Sequence, residues 1–262
     1  MPRQPHAEKR RLSRRDLLRR LTLLGALGGM AGFTVARLNR PRRVVVLPYG
    51  GNTAQPEEPP TIISRDAWGA LPVDISAPNE RGVYEKGVNP IGWYVYPGDL
   101  RDSYQTLVIH HSAFYKADGI ATLLEVQRLH RGDRGWADVG YHYLIDKDGA
   151  IYEGRNIGVR GVHTQGHNTG SAGVCLLGDF RYRSPTSAQW EGLASLSRWL
   201  IAELDLTHLA AHNQFNEGTL CPGAAVLNQL PALAESLGVG YGIEGYVPTA
   251  DTGRTCPCHS PL

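Results

Sequence analysis

Short apolar runs separated by turn residues predict several buried strands along the chain. Residues 107–109 form a compact apolar run that ends in His110 and His111, and residues 209–211 form a second run that ends in His212. Residues 170–180 are sufficiently apolar for a central strand buried on both faces. These three segments predict the interior of one sheet.

An alternating segment followed by a turn predicts a β-hairpin. Residues 139–146 alternate between apolar and polar positions, and a Lys-Asp-Gly turn leads into residues 150–153. Side chains point to alternate faces along a strand. We therefore expect Tyr141 and Tyr143 to share one face of the hairpin and His142 to lie on the other.

Three segments show the 3.6-residue period of amphipathic helices. Asp118 is a candidate N-cap for the first helix, whose predicted inner face carries Ile120, Leu123, Leu124 and Gln127. Residues 186–189 (TSAQ) form a capping-box pattern before a second helix, whose stripe comprises Trp190, Leu193, Ser197, Leu200, Ile201 and Leu204. The last helix ends at Gly238, and its stripe comprises Leu227, Leu230, Ala234 and Leu237.

The mixture of strands and helices shows neither repeated βαβ spacing nor a GxGxxG motif. We therefore predict an α/β fold: a single domain over residues 61–238, with a central mixed β-sheet flanked by about three helices. Residues 44–60 are a Pro/Gly-rich linker, and residues 239–262 lose all periodicity, which predicts a flexible C-terminal tail. Residues 71–105, rich in Pro, Gly and Tyr, predict a long irregular excursion with a short strand at 92–96. This excursion either walls a groove or covers the sheet.

Charge is distributed unevenly along the chain, although the formal net charge is only +2. Residues 1–43 carry 12 Lys and Arg against two Asp and Glu, whereas residues 44–262 carry 15 against 23. The predicted folded part is therefore acidic, which argues against a nucleic-acid partner. The four cysteines, at positions 175, 221, 256 and 258, are too few and too unevenly spaced for a disulfide framework.

The first 43 residues predict a twin-arginine export signal or an N-terminal anchor. Residues 13–19 (SRRDLLR) resemble the consensus S-R-R-x-[FL]-L-K, and an uncharged stretch over residues 21–36 follows. That stretch is short for a membrane-spanning helix. Cleavage after Ala36 and retention as an uncleaved anchor both remain open, and a basic amphipathic helix is a third interpretation. We expect an extracytoplasmic protein, in the cell envelope or secreted, that meets the membrane only through this segment and only if the segment is not cleaved.

His212 and Cys221 form a candidate pair of metal ligands. Cys221 directly precedes Pro222 and a helical pattern. A cysteine at a helix N-terminus favours the thiolate, and proline suits the first helical position. A neutral imidazole and a thiolate supply half of a zinc site. Either His110 or His111 can supply a third ligand, but not both, because adjacent side chains of a strand point to opposite faces.

Several segments, taken in order, resemble the peptidoglycan recognition protein family and its relatives, the zinc-dependent N-acetylmuramoyl-L-alanine amidases. The resemblance covers roughly residues 61–238. Each motif is weak alone, but the ordered set is specific. It comprises SRDAWGA at 64–70, VIHHSA at 108–113, GWADVGYH at 135–142, DGAIYEGR at 148–155, GVH at 161–163 with Asn168, and His212 with TLCPG at 219–223.

The resemblance implies one catalytic Zn²⁺, at one edge of a groove, with a ligand set of His110, His212 and Cys221. It implies that Tyr141 and Thr219 are catalytic: Tyr141 would orient the water or stabilise the oxyanion, and Thr219 would donate to the same oxygen. It also implies that the side chains of two residues, His163 and Asn168, line the substrate groove. The expected substrate is peptidoglycan or a muropeptide, cut between the lactyl group of N-acetylmuramic acid and L-alanine. We expect a monomer.

Three other interpretations use the same residues. The first is a recognition module that binds peptidoglycan without cutting it, although non-catalytic members typically lack the cysteine that is present here as Cys221. The second is a closed structural zinc site with Cys175 as fourth ligand, which the core position of Cys175 disfavours. The third is a zinc peptidase acting within the stem peptide, which only analysis of the products can distinguish.

Overall fold

Seven strands form one mixed sheet within residues 58–247, the part of the chain that the computed structural model describes. All of these residues belong to one compact unit. The strand order is β1-β4-β3-β5-β2-β6-β7. The strands are β1 (Ile62–Ile63), β2 (Thr106–His111), β3 (Tyr143–Ile145), β4 (Ile151–Glu153), β5 (Ser171–Leu176), β6 (His208–Ala211) and β7 (Gly240–Tyr241).

The predicted hairpin and the predicted central strand are both present. Strands β3 and β4 are the one antiparallel pair in the described sheet, and every other neighbouring pair is parallel. Strand β5 lies at the centre of the sheet, and all six of its residues are buried. The mixed α/β fold predicted from the sequence is therefore confirmed.

Alternating side chains divide the core into two layers, one on each face of the sheet. The first layer contains Leu107 and Ile109 of β2, and the same layer continues through alternate residues of the neighbouring strands. The second layer contains Leu144 of β3 and Cys175 of β5. Helices cover both faces of the sheet. The side chains of its parallel strands are therefore almost all apolar on both faces.

Five α-helices accompany the sheet in the described chain. They are α1 (Gly119–Arg128), α2 (Ser187–Leu204), α3 (His212–Phe215), α4 (Ala224–Leu227) and α5 (Leu230–Leu237). Leu123 and Val126 of α1 pack in the second layer, and leucine side chains of α2 and α5 pack in the first. The three longer helices agree with the prediction of about three.

Both helix N-caps that the sequence predicts are present, and one of them differs in detail. The Asp118 carboxylate accepts the Ala121 N–H, and the Thr186 hydroxyl accepts the Gln189 N–H, as predicted. The Gln189 side chain, however, donates to the carbonyls of Ile145 and Leu177 instead of reaching back to the cap. Its amide therefore supplies hydrogen bonds to buried carbonyl groups at the ends of two strands. These carbonyls need a donor only because the sheet is packed against the helix.

The predicted inner face of α1 is partly wrong. Leu123 and Gln127 are buried as predicted, but Ile120 and Leu124 are 43% and 42% exposed, and Thr122, which was not predicted, is buried. The buried polar side chains are stable there because each has partners: the Thr122 hydroxyl donates to the Asp118 carbonyl, and the Gln127 amide donates to Asp138. The apolar pattern did not indicate Thr122, because hydrogen bonds and not apolar character accompany its burial.

Other expectations also need correction. Residues 92–96 form isolated bridges, Val83 with Trp93 and Val95 with Val159, instead of a strand. The tail predicted from residue 239 is wrong for residues 239–247, because β7 pairs with β6 and the Tyr246 hydroxyl donates to the Thr169 carbonyl.

Several predictions fall on residues outside the described part of the chain. These are the export signal at 1–43, most of the linker at 44–60, and the end of the predicted tail with Cys256 and Cys258. Within residues 58–247, none of the helices combines the length and apolar character needed to cross a membrane.

Candidate metal centre and groove

Parallel pairing of β2 and β6 brings two histidines together. Ile109 of β2 lies opposite Ala211 of β6, so the next residues along the two strands, His110 and His212, are also neighbours. Their ring centroids are 4.5 Å apart. The site therefore lies at the carboxyl ends of parallel strands, where open α/β sheets commonly bind their ligands.

Cys221 reaches the same place from the loop after α3. Its Sγ lies 3.7 Å from His110 Nδ1 and accepts the His111 N–H at 3.3 Å. Its own N–H donates to the Thr219 hydroxyl oxygen, and its carbonyl accepts the Asn213 N–H. The bond from the His111 N–H therefore joins the cysteine sulfur to the end of β2, and the bond from the Asn213 N–H joins its backbone to α3.

The position of Cys221 relative to a helix differs from the prediction. Pro222 follows it through a cis peptide bond, and α4 begins only at Ala224, after the cap residue Gly223. Burial raises the pKa of the Cys221 thiol to about 12, opposed by the bond from the His111 N–H. The thiolate that metal binding requires would therefore be stabilised by the metal and by this N–H, and not by a helix N-terminus.

His110 and His111 point to opposite faces of the sheet, as the strand alternation requires. His110 faces Cys221, whereas the His111 ring lies 6.1 Å from that of Phe180 and its Nδ1 accepts the Phe180 N–H. Burial, together with the neighbouring histidines, holds the pKa of His110 well below its ordinary value. A neutral imidazole is the form that binds a metal.

The donor set of His110, His212 and Cys221 fits zinc. One atom from each residue lies within 4.8 Å of the other two. Tetrahedral zinc with ordinary Zn–N and Zn–S bonds separates these atoms by about 3.5 Å. The 3.7 Å between His110 Nδ1 and Cys221 Sγ is close to that value.

Tyr141 lies beside this centre but not where the strand alternation predicted. Strand β3 begins at Tyr143, so Tyr141 precedes it and packs with the second layer near Cys175, whereas Tyr143 packs in the first. The expectation that the two tyrosines share a face is wrong, because the alternation does not extend beyond the regular strand. The Tyr141 ring centroid lies 5.1 Å from that of His110, and burial raises the pKa of its hydroxyl well above the usual value.

His130 is a neighbour of Tyr141 that the sequence analysis missed. It lies in a π-helical turn, Leu129–Asp133, directly after α1. Its ring packs between those of Trp136 and Tyr141, its Nδ1 accepts the Gly140 N–H, and burial lowers its pKa to about 3. No periodic signal marks this residue because it lies beyond the helical stripe.

The other predicted site residues lie around the same centre. His163 Nδ1 is 3.1 Å from His110 Nε2, and the Asn168 Oδ1 accepts the N–H groups of His163 and Thr164, both at 2.7 Å. Thr219 lies on the loop that carries Cys221. Cys175 is fully buried in β5 and is not among the residues that converge as a metal-binding group.

A cavity of about 210 Å³ opens beside the centre, and Tyr141, His163, Asn168 and His212 line it. The excursion at 71–105 forms part of its wall through Asn79, Glu80, Pro90 and Ile91. The segment takes both of the roles that the sequence left open, because it also covers the sheet through Tyr96 and Tyr104, which are buried in the first core layer.

A buried ion pair fastens the excursion to the domain. The Glu80 carboxylate pairs with the Arg155 guanidinium, and the two side chains are 3% and 0% exposed. Glu80 also accepts the Ala137 N–H, and Arg155 also donates to the Val139 carbonyl. Arg160 adds two bonds, to the carbonyls of Pro90 and Gly92.

Known proteins with similar sequences support one family. The family model for N-acetylmuramoyl-L-alanine amidase matches residues 100–224. The peptidoglycan-recognition protein SC2 of Drosophila melanogaster is 35% identical over 130 residues, which are 47% of this chain and 70% of that protein. The endolysin of Escherichia phage T7 is 34% identical over 119 residues, 44% of this chain and 78% of the endolysin.

A solved structure shows the same relationship. The endolysin N-acetylmuramoyl-L-alanine amidase LysCS from Clostridium intestinale superposes with a TM-score of 0.51 at 26% identity, over 70% of this chain and 99% of that one. Residues 100–224, which the family model matches, contain both histidines and the cysteine of the candidate metal centre. The chain therefore belongs to the family of N-acetylmuramoyl-L-alanine amidases that includes the peptidoglycan-recognition proteins and phage endolysins.

Proposed function

We propose that this protein is a zinc-dependent amidase that separates the lactyl group of N-acetylmuramic acid from the L-alanine of a peptidoglycan stem peptide. The observation that carries the proposal is the convergence of His110, His212 and Cys221 beside Tyr141 and the cavity. Three protein ligands leave one position of tetrahedral zinc for water or substrate, which is typical of a catalytic site. The family supports an amide as the bond that is cut.

Zinc, when bound, supplies a Lewis acid that activates water near neutral pH and polarises a carbonyl group. Tyr141 keeps its proton because burial raises its pKa, so its hydroxyl can donate to the oxyanion that forms on the scissile carbonyl. The Thr219 oxygen accepts the Cys221 N–H, which leaves its own hydrogen for donation. We assign the orientation of the reacting groups to these two hydroxyls.

Peptidoglycan or a muropeptide is the proposed occupant of the cavity, and we propose that the protein acts as a monomer. The wall formed by Pro90 and Ile91 of the excursion offers apolar surface, and Asn79 offers an amide. A cavity that combines a small number of polar groups with apolar surface is the usual form of a specific binding site. The excursion would therefore contact parts of the substrate beyond the scissile amide.

Incubation of the zinc-loaded protein with purified peptidoglycan, followed by mass analysis of the products, tests this proposal. We expect stem peptides that begin with L-alanine and glycan strands that keep their lactyl groups. A chelator should abolish cleavage and added zinc should restore it. Cys221→Ala should lose one zinc equivalent per chain together with the activity.

Each other result has a definite meaning. Full activity of a metal-free Cys221→Ala protein would overturn the metal-dependent reaction. Binding of peptidoglycan by the zinc-loaded wild type without any cleavage would identify a recognition module. Cleavage between residues of the stem peptide would identify a peptidase.

We further propose export through the twin-arginine route, with the mature protein in the cell envelope or secreted. The paired Arg14 and Arg15 before an uncharged stretch support this proposal. Replacing both by lysine keeps the charge but loses the guanidinium geometry. We expect the Arg14→Lys/Arg15→Lys protein to stay in the cytoplasm in a fractionation experiment, and unchanged export would exclude this route.

A further inference from the structure

His163 has contacts that differ from those of a residue directed at substrate. Its side chain is buried, and both of its ring nitrogens lie within hydrogen-bonding distance of other protein groups. Nε2 lies 3.3 Å from the Ser171 carbonyl oxygen, and Nδ1 lies 3.1 Å from His110 Nε2 and 2.9 Å from the Thr164 hydroxyl. These contacts connect a strand carbonyl to a proposed metal ligand.

The Ser171 carbonyl determines where the hydrogens lie along this connection. A carbonyl oxygen can only accept, so His163 Nε2 carries the ring hydrogen, and in the neutral ring Nδ1 presents a lone pair. Two nitrogens 3.1 Å apart attract only when a hydrogen lies between them, and His163 Nδ1 has none to give. The hydrogen therefore belongs to His110 Nε2.

The Thr164 hydroxyl does not change the conclusion that His110 Nε2 carries the hydrogen. Its oxygen lies 3.4 Å from His110 Nε2 and can accept from it, while its own hydrogen can turn towards His163 Nδ1. In both arrangements His110 Nε2 is the donor. His110 Nδ1 is then left with a lone pair, and it is the atom that lies 3.7 Å from Cys221 Sγ.

We infer that His163 is a positioning residue, which holds His110 in the tautomer and orientation that present Nδ1 to the metal. The inference rests on the proposed metal site, and it gives His163 a role other than the substrate contact expected from the sequence. Outer partners of this kind are usually carboxylates or carbonyls. Here a second imidazole, itself oriented by the Ser171 carbonyl, takes that place.

Two glycines show that the fold accommodates this ring closely. A Cβ added at Gly173 of β5 would lie 2.6 Å from the His163 Cγ and Cδ2 atoms, and one added at Gly161 would lie 2.8 Å from Nε2. Both distances are too short for a real side chain. In addition, the Asn168 carboxamide oxygen accepts the backbone N–H groups of His163 and Thr164, which lie on either side of the His163 Cα. The ring is therefore confined on the side of the sheet where His110 lies.

Zinc affinity is the first test, measured by competition with a chromophoric chelator. His163→Leu fills similar space without an acceptor, and we expect the dissociation constant for zinc to rise about 10–100-fold. His163→Gln can donate to Ser171 and accept from His110, so we expect it to recover most of the affinity. His142→Gln is the matched control, because His142 is also buried but its ring nitrogens contact the Val159 carbonyl, the Gly173 N–H and the Tyr104 hydroxyl, and none of the proposed metal ligands.

The outcomes separate this inference from the proposed function. If wild type binds zinc and His163→Leu binds it equally well, His163 does not position the ligand. If Thr164→Val weakens binding while His163→Leu does not, the hydroxyl orients His110 instead. Failure of the wild type to bind zinc would overturn the proposed metal site itself, whatever the variants do.

A second measurement needs no variant. In the metal-free protein, ¹⁵N NMR of the imidazole nitrogens distinguishes the two neutral tautomers. We expect hydrogen on Nε2 of both His110 and His163. A hydrogen on His110 Nδ1 would contradict the inference even if every variant proved too unstable to purify.

Discussion

At the scale of single residues, the Tyr141 hydroxyl separates catalysis from binding. Tyr141→Phe removes this hydroxyl and keeps the ring that packs beside His110 and His130. If the hydroxyl donates to the developing oxyanion, kcat for amide hydrolysis should fall by about 10²–10³-fold. Binding of a muramoyl-peptide fragment should barely change, because an interaction made mainly in the transition state affects kcat and not affinity.

Zinc content and fragment binding are the controls for Tyr141→Phe. Turnover close to that of the wild type would remove the tyrosine from the proposed mechanism and leave Thr219 as the donor. Loss of zinc would assign Tyr141 to support of the metal centre. Tyr143→Phe offers a matched variant, since Tyr143 lies two residues away in the opposite core layer and should leave kcat unchanged.

At the scale of elements, the Glu80–Arg155 pair determines whether the excursion stays against the domain. Glu80→Gln removes the charge that offsets a fully buried guanidinium, and such a change typically costs about 3–5 kcal/mol. We expect a loss of this size in the free energy of unfolding, measured by urea denaturation, together with weaker substrate binding because Glu80 and Asn79 line the cavity. Glu85→Gln, at an exposed position of the same excursion, is the matched control. A loss below 1 kcal/mol for Glu80→Gln would contradict the conclusion that this ion pair fastens the excursion to the domain.

At the scale of the whole molecule, buried neutral histidines should make the metal-free protein sensitive to acid. Burial lowers the pKa of His142 to about 4, whereas in the unfolded chain it is near 6.5. The unfolded chain therefore binds a proton between these pH values while the folded chain does not, so stability falls as the pH drops through this window. His142 alone should cost about 2 kcal/mol between pH 7 and pH 5.

Urea denaturation of the chelator-treated protein at both pH values measures this effect. His142→Gln should show a smaller difference between pH 7 and pH 5, because the amide does not titrate. Equal losses in wild type and variant would show that other groups cause the acid sensitivity. The His111 imidazole, whose pKa burial lowers to about 4, should add to the effect in both proteins.

The sequence by itself determined the features that depend on neighbours along the chain. Apolar runs marked β2, β5 and β6, a turn marked the hairpin, and Asp118 and Thr186 marked two helix caps. The ordered motifs named His110, His212 and Cys221, and the structure brings these three together. Local pattern was sufficient for the strands, the hairpin and the caps because the stabilising hydrogen bond or apolar face lies within one element, whereas the ligand set came from the family resemblance.

Tertiary structure alone decided which groups meet across elements. The register of β2 with β6 places His212 beside His110, and the end of regular pairing before Tyr143 turns Tyr141 to the opposite layer. The partners of the buried Gln127 amide, the Asp138 carboxylate and the Leu71 backbone, both come from other segments of the chain. His163 reaches His110 over 53 residues of chain. Contacts of this kind depend on the packing of distant segments, whose partners no local pattern of polar and apolar residues specifies.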